Sequence, residues 1–331
     1  MATYKNIQGY TVQKLSSDPP AEQSVGQLWY NSTSGAFKIG TEGAGAWSSG
    51  GDLNTGRDMM AGVGTATAAL SVGGEPPVSG GAGVAVEQYD GSTWTTKNSL
   101  TTYRYGPGAS GTSTASLFFG GTPPQTNKTE KWDGTNWTEV ADLNTPRAVG
   151  GGSSAGTSAA AAAFGGYPNL ASTEIWNDTC WATSPGSMNQ GRDAGGGCGT
   201  STAAQYNGGG ATWPSDAKYD VTEQFNGSTW SEVADLNTAR DAAGYMAPGG
   251  QSSSMAIGGK TPSTVTTVEL WDGTSWTTGT VLPSPRSETG TAGSGNASAI
   301  AFGGTGPSGS NHAETFAWTD PVYTIKTVTV S

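Results

Sequence analysis

Six arginines, and no others, punctuate this chain of 331 residues: Arg57, Arg104, Arg147, Arg192, Arg240 and Arg286, at intervals of 47, 43, 45, 48 and 46. Downstream of each lies a glycine pair, ending at Gly74, Gly121, Gly166, Gly209, Gly259 and Gly304. A glutamate follows (Glu87, Glu130, Glu174, Glu223, Glu269, Glu314), and two residues later an aromatic (Tyr89, Trp132, Trp176, Phe225, Trp271, Phe316). A tryptophan closes five of the units, at Trp94, Trp137, Trp181, Trp230 and Trp276. Five markers in one order, six times over, define a repeat of about 46 residues. A repeat restricts the fold more than any single motif, because a unit too small to bury its own apolar face must stack on its neighbours.

Within a unit the pattern reads as four short strands. A Gly/Ala/Val-rich segment follows the arginine, as at Met59 to Thr65, and a second apolar run ends at the glycines, as in Leu117-Phe118-Phe119-Gly120-Gly121. The third strand alternates around the glutamate, and a tight Asp-Gly turn (Asp90-Gly91, Asp133-Gly134, Asp272-Gly273) leads into the tryptophan strand. Glycine accepts positive φ there without a Cβ clash. No 3.6-residue period appears in the repeats. Four strands in a unit of this size predict an all-β, six-bladed β-propeller over residues 46–318. Trp47 and the linker Asp52-Leu53-Asn54-Thr55-Gly56-Arg57 look like a fourth strand without its first three. The last unit lacks a clear fourth strand unless Trp318 serves, so the Trp47 strand is expected to complete it and close the ring.

The order Leu143-Asn144-Thr145-Pro146-Arg147, Phe164-Gly165-Gly166, Thr173-Glu174-Ile175-Trp176 and Trp181 resembles the kelch repeat, over roughly residues 45 to 318. It departs in its first two strands, where Gly, Ala, Ser and Thr replace bulkier residues, Gly150 to Ala163 being the extreme case. Small residues near the axis let blades approach closely, which leaves the outer tryptophans to supply most of the burial.

Residues 1–45 stand outside the repeat. Gly26 to Ile39 reads as a hairpin, with Leu28, Trp29 and Tyr30 on one arm and Phe37 and Ile39 on the other. With Ser17-Asp18-Pro19-Pro20 upstream, the stretch resembles N-terminal segments of tail-fibre and other virion structural proteins of tailed bacteriophages, cyanophages in particular. That resemblance implies attachment to other virion proteins through Leu28, Trp29, Tyr30, Phe37 and Ile39, and a place on the phage particle after assembly in the host cytoplasm. It also leaves room for a homo-oligomer. Residues 319–331 hold one further alternating strand, Tyr323 to Val330, which pairs with the hairpin or with another subunit.

Composition removes most chemistry. The net charge of −11 repels phosphate backbones, so nucleic acid is a poor partner. One histidine and two cysteines build neither a metal site nor a disulfide framework, and no cofactor is expected. The longest apolar run, around Ala159 to Phe164, is too short to span a bilayer, and Met1 to Tyr10 shows no secretory pattern. Copper oxidases built on kelch propellers need two histidine ligands, whereas only His312 exists. The Asp-Gly turns differ from sialidase Asp boxes because the two residues are adjacent. The chain is therefore expected not to be an enzyme.

Two readings of the six arginines stand side by side. They form a ring at one end of the channel that takes a carboxylate or sulfate, or each ties its own blade together through the repeated glutamate or loop carbonyls. The proline-containing loops after the glycine pairs vary between blades and emerge on the same side as the arginines, where binding is usually found. The fourth carries Trp213, suited to stacking on a sugar ring. These features predict a rigid propeller displayed for binding a host glycan or protein, or for decorating the particle. A soluble lectin or kelch-type adaptor is the alternative.

Overall fold

The computed structural model describes residues 12–75, 82–148, 155–211, 217–242, 249–320 and 323–329. The chain forms two compact units, one of residues 47–319 and one made of both ends, 1–46 and 320–331. Described regular structure is β apart from three single-turn 3-10 segments.

The larger unit holds six four-stranded antiparallel sheets. In blade one, Ala61–Thr65, Ala68–Val72, Val86–Tyr89 and Trp94–Thr96 pair in succession. Blades two to five follow the same order, their first strands opening at Gly108, Ala155, Gly196 and Gly249. The first strands of all six sheets line one narrow cavity of about 120 Å³. The unit is thus a six-bladed β-propeller with its glycine-rich strands at the axis. Gly62 shows why they are glycine-rich: a Cβ there would lie 2.3 Å from the Thr291 carbonyl oxygen of blade six.

Farther out, the fourth-strand tryptophans fill the seams. Trp94, Trp181 and Trp230 lie 4.7–4.9 Å, ring to ring, from Phe302, Phe119 and Phe164 of the preceding blades. Their indole N–H groups donate to Thr315, Thr129 and Thr173 on those same blades, and Trp276 donates likewise to Thr222. Each ring buries ~150–250 Å², a gross gain of about 4–6 kcal/mol at ~25 cal/mol/Å².

Blade six is built from both ends of the ring. Gly290–Gly293, Ser298–Phe302 and Thr315–Thr319 are joined by Ala46–Ser49 as fourth strand. The Gly50 N–H continues the ladder to the Thr315 carbonyl. Trp318 lies on the third strand, 5.3 Å from Trp47, so the Trp47 strand is the one that closes the ring. The aromatic aligned with Trp132 is also Trp318, not Phe316. The register sets Phe316 opposite Ala301, as Glu130 is set opposite Phe118 in blade two, so Phe316 fills the slot of the repeated glutamate.

The second unit is a four-stranded sheet ordered Gln13–Leu15, Leu28–Asn31, Ala36–Glu42, Tyr323–Thr327. The C-terminal strand pairs antiparallel with Ala36–Glu42, which joins the two chain ends in one sheet. The segment Ala21–Val25 covers one side of this sheet: a Cβ on Gly40 would fall 2.1 Å from the Ser24 carbonyl oxygen.

A chain starting at residue 50 leaves Thr315–Thr319 as an unpaired edge, whereas one starting at residue 46 keeps its partner. The first should unfold at least ~5 °C below the second by scanning calorimetry. Equal transitions would overturn the closure.

Candidate functional site

The six arginines lie below the surface of the propeller, each 0–3% exposed. Each of the first five pairs with its own blade's glutamate: Arg57 with Glu87 at 2.5 Å, Arg104 with Glu130 at 2.6 Å, Arg147 with Glu174 at 2.9 Å, Arg192 with Glu223 at 2.5 Å, and Arg240 with Glu269. The carboxylate's other oxygen is held by the linker. Asn54, Asn144 and Asn237 each donate both a backbone N–H and a side-chain N–H to it. Burial pulls Arg57, Arg104, Arg147 and Arg240 below the ordinary guanidinium value, and the facing glutamate opposes that pull. The ligand-ring reading of Arg57, Arg104, Arg147, Arg192, Arg240 and Arg286 gives way here. Buried guanidiniums engaged by carboxylates and carbonyls are not offered to a carboxylate or sulfate, and the blade tie describes them.

Blade six departs in a coordinated way. Pro283 replaces the linker asparagine and so has no backbone N–H to donate, and Phe316 replaces the glutamate. Arg286 lies over the Phe316 ring at 5.7 Å and meets Glu314 at 3.2 Å, a carboxylate whose side chain is 47% exposed. His312 contacts the same carboxylate at 3.1 Å.

The repeated glycines join one blade to the next. The N–H of the second glycine in each pair donates to the arginine carbonyl of the following blade: Gly121 to Arg147, Gly166 to Arg192, Gly209 to Arg240, Gly259 to Arg286, and Gly304 back to Arg57, all at 2.8–2.9 Å. Gly74 to Arg104 is longer, at 3.4 Å. A second belt runs through residues two beyond the arginines. Met59, Gly106, Ala194, Ala242 and Glu288 all have φ between 49° and 60°. The Gly106 N–H donates to Met59, Met59 to Glu288, Glu288 to Ala242 and Ala242 to Ala194.

Between these repeated positions sits one rung per blade whose residue pair differs from blade to blade, although an aspartate follows the arginine in three of them. The residue after each arginine bridges the residue after each glycine pair: Asp58 with Glu75, Tyr105 with Thr122, Ala148 with Tyr167, Asp193 with Gly210, Asp241 with Lys260, Ser287 with Thr305. All the rungs lie at the loop end of the propeller. Around blades five, six and one they bring charges together. The Thr305 hydroxyl lies 2.5 Å from Asp58 Oδ2 and 3.0 Å from Glu288 Oε2, while Lys260 Nζ holds Glu288 Oε1 at 2.9 Å. Burial pushes Asp58 up to about 6, partly opposed by the Thr305 hydrogen bond and reinforced by Glu288 and Glu75. Next to them a cavity of about 270 Å³ is lined by Lys260, Pro262, Ser263, Thr264, Thr305 and Pro307. Tyr103 and Tyr105, with rings 6.4 Å apart and edge to face, stand by Glu75. Asp58, Glu288 and Thr305 are themselves buried, and the half-buried Glu75, Tyr103, Tyr105 and Lys260, with Lys218 on Asp241 at 2.6 Å, are the groups this mouth turns outward. These residues escaped the sequence reading because it sought repetition. The signal was the reverse, the variable residue directly after each invariant marker. Trp213 lies outside the described residues.

Of the five expected docking residues, the terminal sheet places four on one side. Leu28 faces Ile39 and Tyr30 faces Phe37 across the hairpin. Trp29 is the exception, only 2% exposed, with its indole N–H donating to Asp18 at 3.0 Å. The hydrogen bonds from Asn31 and Trp29 hold Asp18 below the usual carboxylate range. Strand alternation turns Trp29 toward the covered side, so it anchors the sheet and is not available for docking.

The chain matches no family model and no curated protein. Among solved structures, one described as "Structure of YjhT" aligns with a TM-score of 0.67, covering 83% of this chain and 99% of its own, at 12% identity. At that identity the likeness concerns the propeller fold alone.

Removing the glutamate strands a buried guanidinium, so Glu174→Ala should lower stability by about 3–5 kcal/mol. Glu314→Ala, at a half-exposed pair, should cost no more than about 1 kcal/mol; denaturant unfolding separates the two. Asp58 binds its proton more tightly folded than unfolded. Its stabilising contribution is therefore complete below about pH 4, near the unfolded value, and lost as pH rises through about 6. Asp58→Asn should accordingly melt higher than wild type at pH 7.5, with the difference vanishing toward pH 4. Melting curves across that range check it.

Proposed function

We propose that this chain is a non-enzymatic structural component of a tailed-phage particle, a tail-fibre or adhesion part that presents the rung-lined mouth of its propeller. The observation that carries this reading is a division of labour. The six repeated arginines and the glutamates of blades one to five are spent inside the ring, and side chains that differ between blades are gathered at the one end where the loops emerge. A rigid scaffold with variable loops is the arrangement binding proteins use. The virion assignment draws its support from the resemblance of Gly26 to Ile39, with Ser17 to Pro20, to phage N-terminal segments, and the kelch-like marker order supports the display role.

In mechanism this is presentation. The unit formed by the chain ends attaches to other virion proteins, and the mouth meets a host-surface glycan or protein, or decorates the particle. Mass spectrometry of purified particles should find the chain, and its absence would defeat the virion assignment. Purified protein should also reduce phage adsorption in a dose-dependent way. No competition at saturating protein would leave decoration and remove the host-binding role.

A further inference from the structure

We infer that the open face of the terminal sheet is a self-association surface whose occupant is a second copy of this chain. An antiparallel sheet covered on one side ordinarily turns polar residues to water on the other. Here the opposite holds. Four of the seven exposed large apolar side chains among the described residues lie on this face: Val12, Leu28, Phe37 and Val328.

The registers arrange the open face in two rows. One row runs Lys14, Tyr30, Phe37, Val328 across the four strands. The other runs Val12, Leu28, Ile39, Lys326, with Val12 one step before the Gln13–Trp29 pair. Two copies meeting face to face about a two-fold axis in the plane, along or across the strands, set each lysine over a valine and the central apolar quartet over itself. Lysine never meets lysine. The lysine stems cover the valines while the ammonium groups reach the rim.

Charge selects the same surface. In the terminal unit Lys5, Lys14, Lys38 and Lys326 cancel Asp18, Glu22, Glu42 and Asp320, so the whole net charge of −11 belongs to the propeller. Contact through propellers sets like charge against like charge, and contact through this neutral unit does not. Four strands ~4.8 Å apart and two rows of ~6.8 Å give an apolar face of roughly 19 by 14 Å, or about 500 Å² over two copies, bordered by the hydroxyl pair Thr41–Thr324. That lies below the ~1,000 Å² of a stable specific interface and fits a weak, transient dimer.

Sedimentation velocity of the full chain between about 1 µM and about 1 mM should show a monomer–dimer equilibrium. Leu28→Asp with Phe37→Asp should weaken it at least about tenfold, with the thermal transition unchanged. Phe37→Ser serves as a milder variant if the aspartates disturb the sheet. Wild-type protein monomeric throughout, or a dimer equally strong in a folded variant, would overturn the inference. Either result leaves the particle assignment standing, because that assignment is decided by mass spectrometry of the particles.

Discussion

The buried arginine–glutamate pair is the interaction on which the propeller rests. Two desolvated charges are costly, and the cost falls as their remaining hydrogen-bonding capacity is met. The asparagine of the linker meets it on the carboxylate side; on the guanidinium side of Arg147 the Gly165 and Ser172 carbonyls accept from Nη1, while the buried Nε has no partner among the described residues. The same arginine offers its own backbone carbonyl to the glycine of the preceding blade. One residue therefore fixes the linker to its blade by its side chain and fixes blade to blade by its backbone. This dual use explains why an arginine recurs at this one position of the repeat.

Blade six shows what the pair requires by lacking it. Asparagine and buried glutamate disappear together, replaced by Pro283 and Phe316, and Arg286 turns to an aromatic face and a half-exposed carboxylate. The change falls on the blade that contains the ring closure, where Ala46–Ser49 supplies cohesion from the other end of the ring.

Spacing made the blades, the closing strand and the close approach of inner strands legible, because each follows from a marker or from the size of a side chain. The register of blade six was not legible. Glu314 and Phe316 reproduce the repeated spacing two residues early, and only Pro283 hinted that the glutamate slot was empty of glutamate. The inward turn of Trp29 depends on Ala21–Val25 covering one side of the sheet, a contact between segments that no local pattern encodes. The mouth residues were hidden for a different reason: a repeat draws the eye to what stays constant, while recognition is built from what changes. Asp58, Glu75, Tyr105, Lys260 and Thr305 follow directly on the markers, and no two blades carry the same pair at these positions.

The closing strand also sets an order of events. Ala46–Ser49 leaves the ribosome before any blade, yet its partner Thr315–Thr319 comes almost last. Trp47 must wait through the synthesis of five complete blades, and the glycine-to-arginine belt stays an open arc until Gly304 of the sixth blade reaches the Arg57 carbonyl. The ring therefore gains its last stabilisation in a single late step, and a chain stopped short of its sixth blade is left with an open seam at both ends.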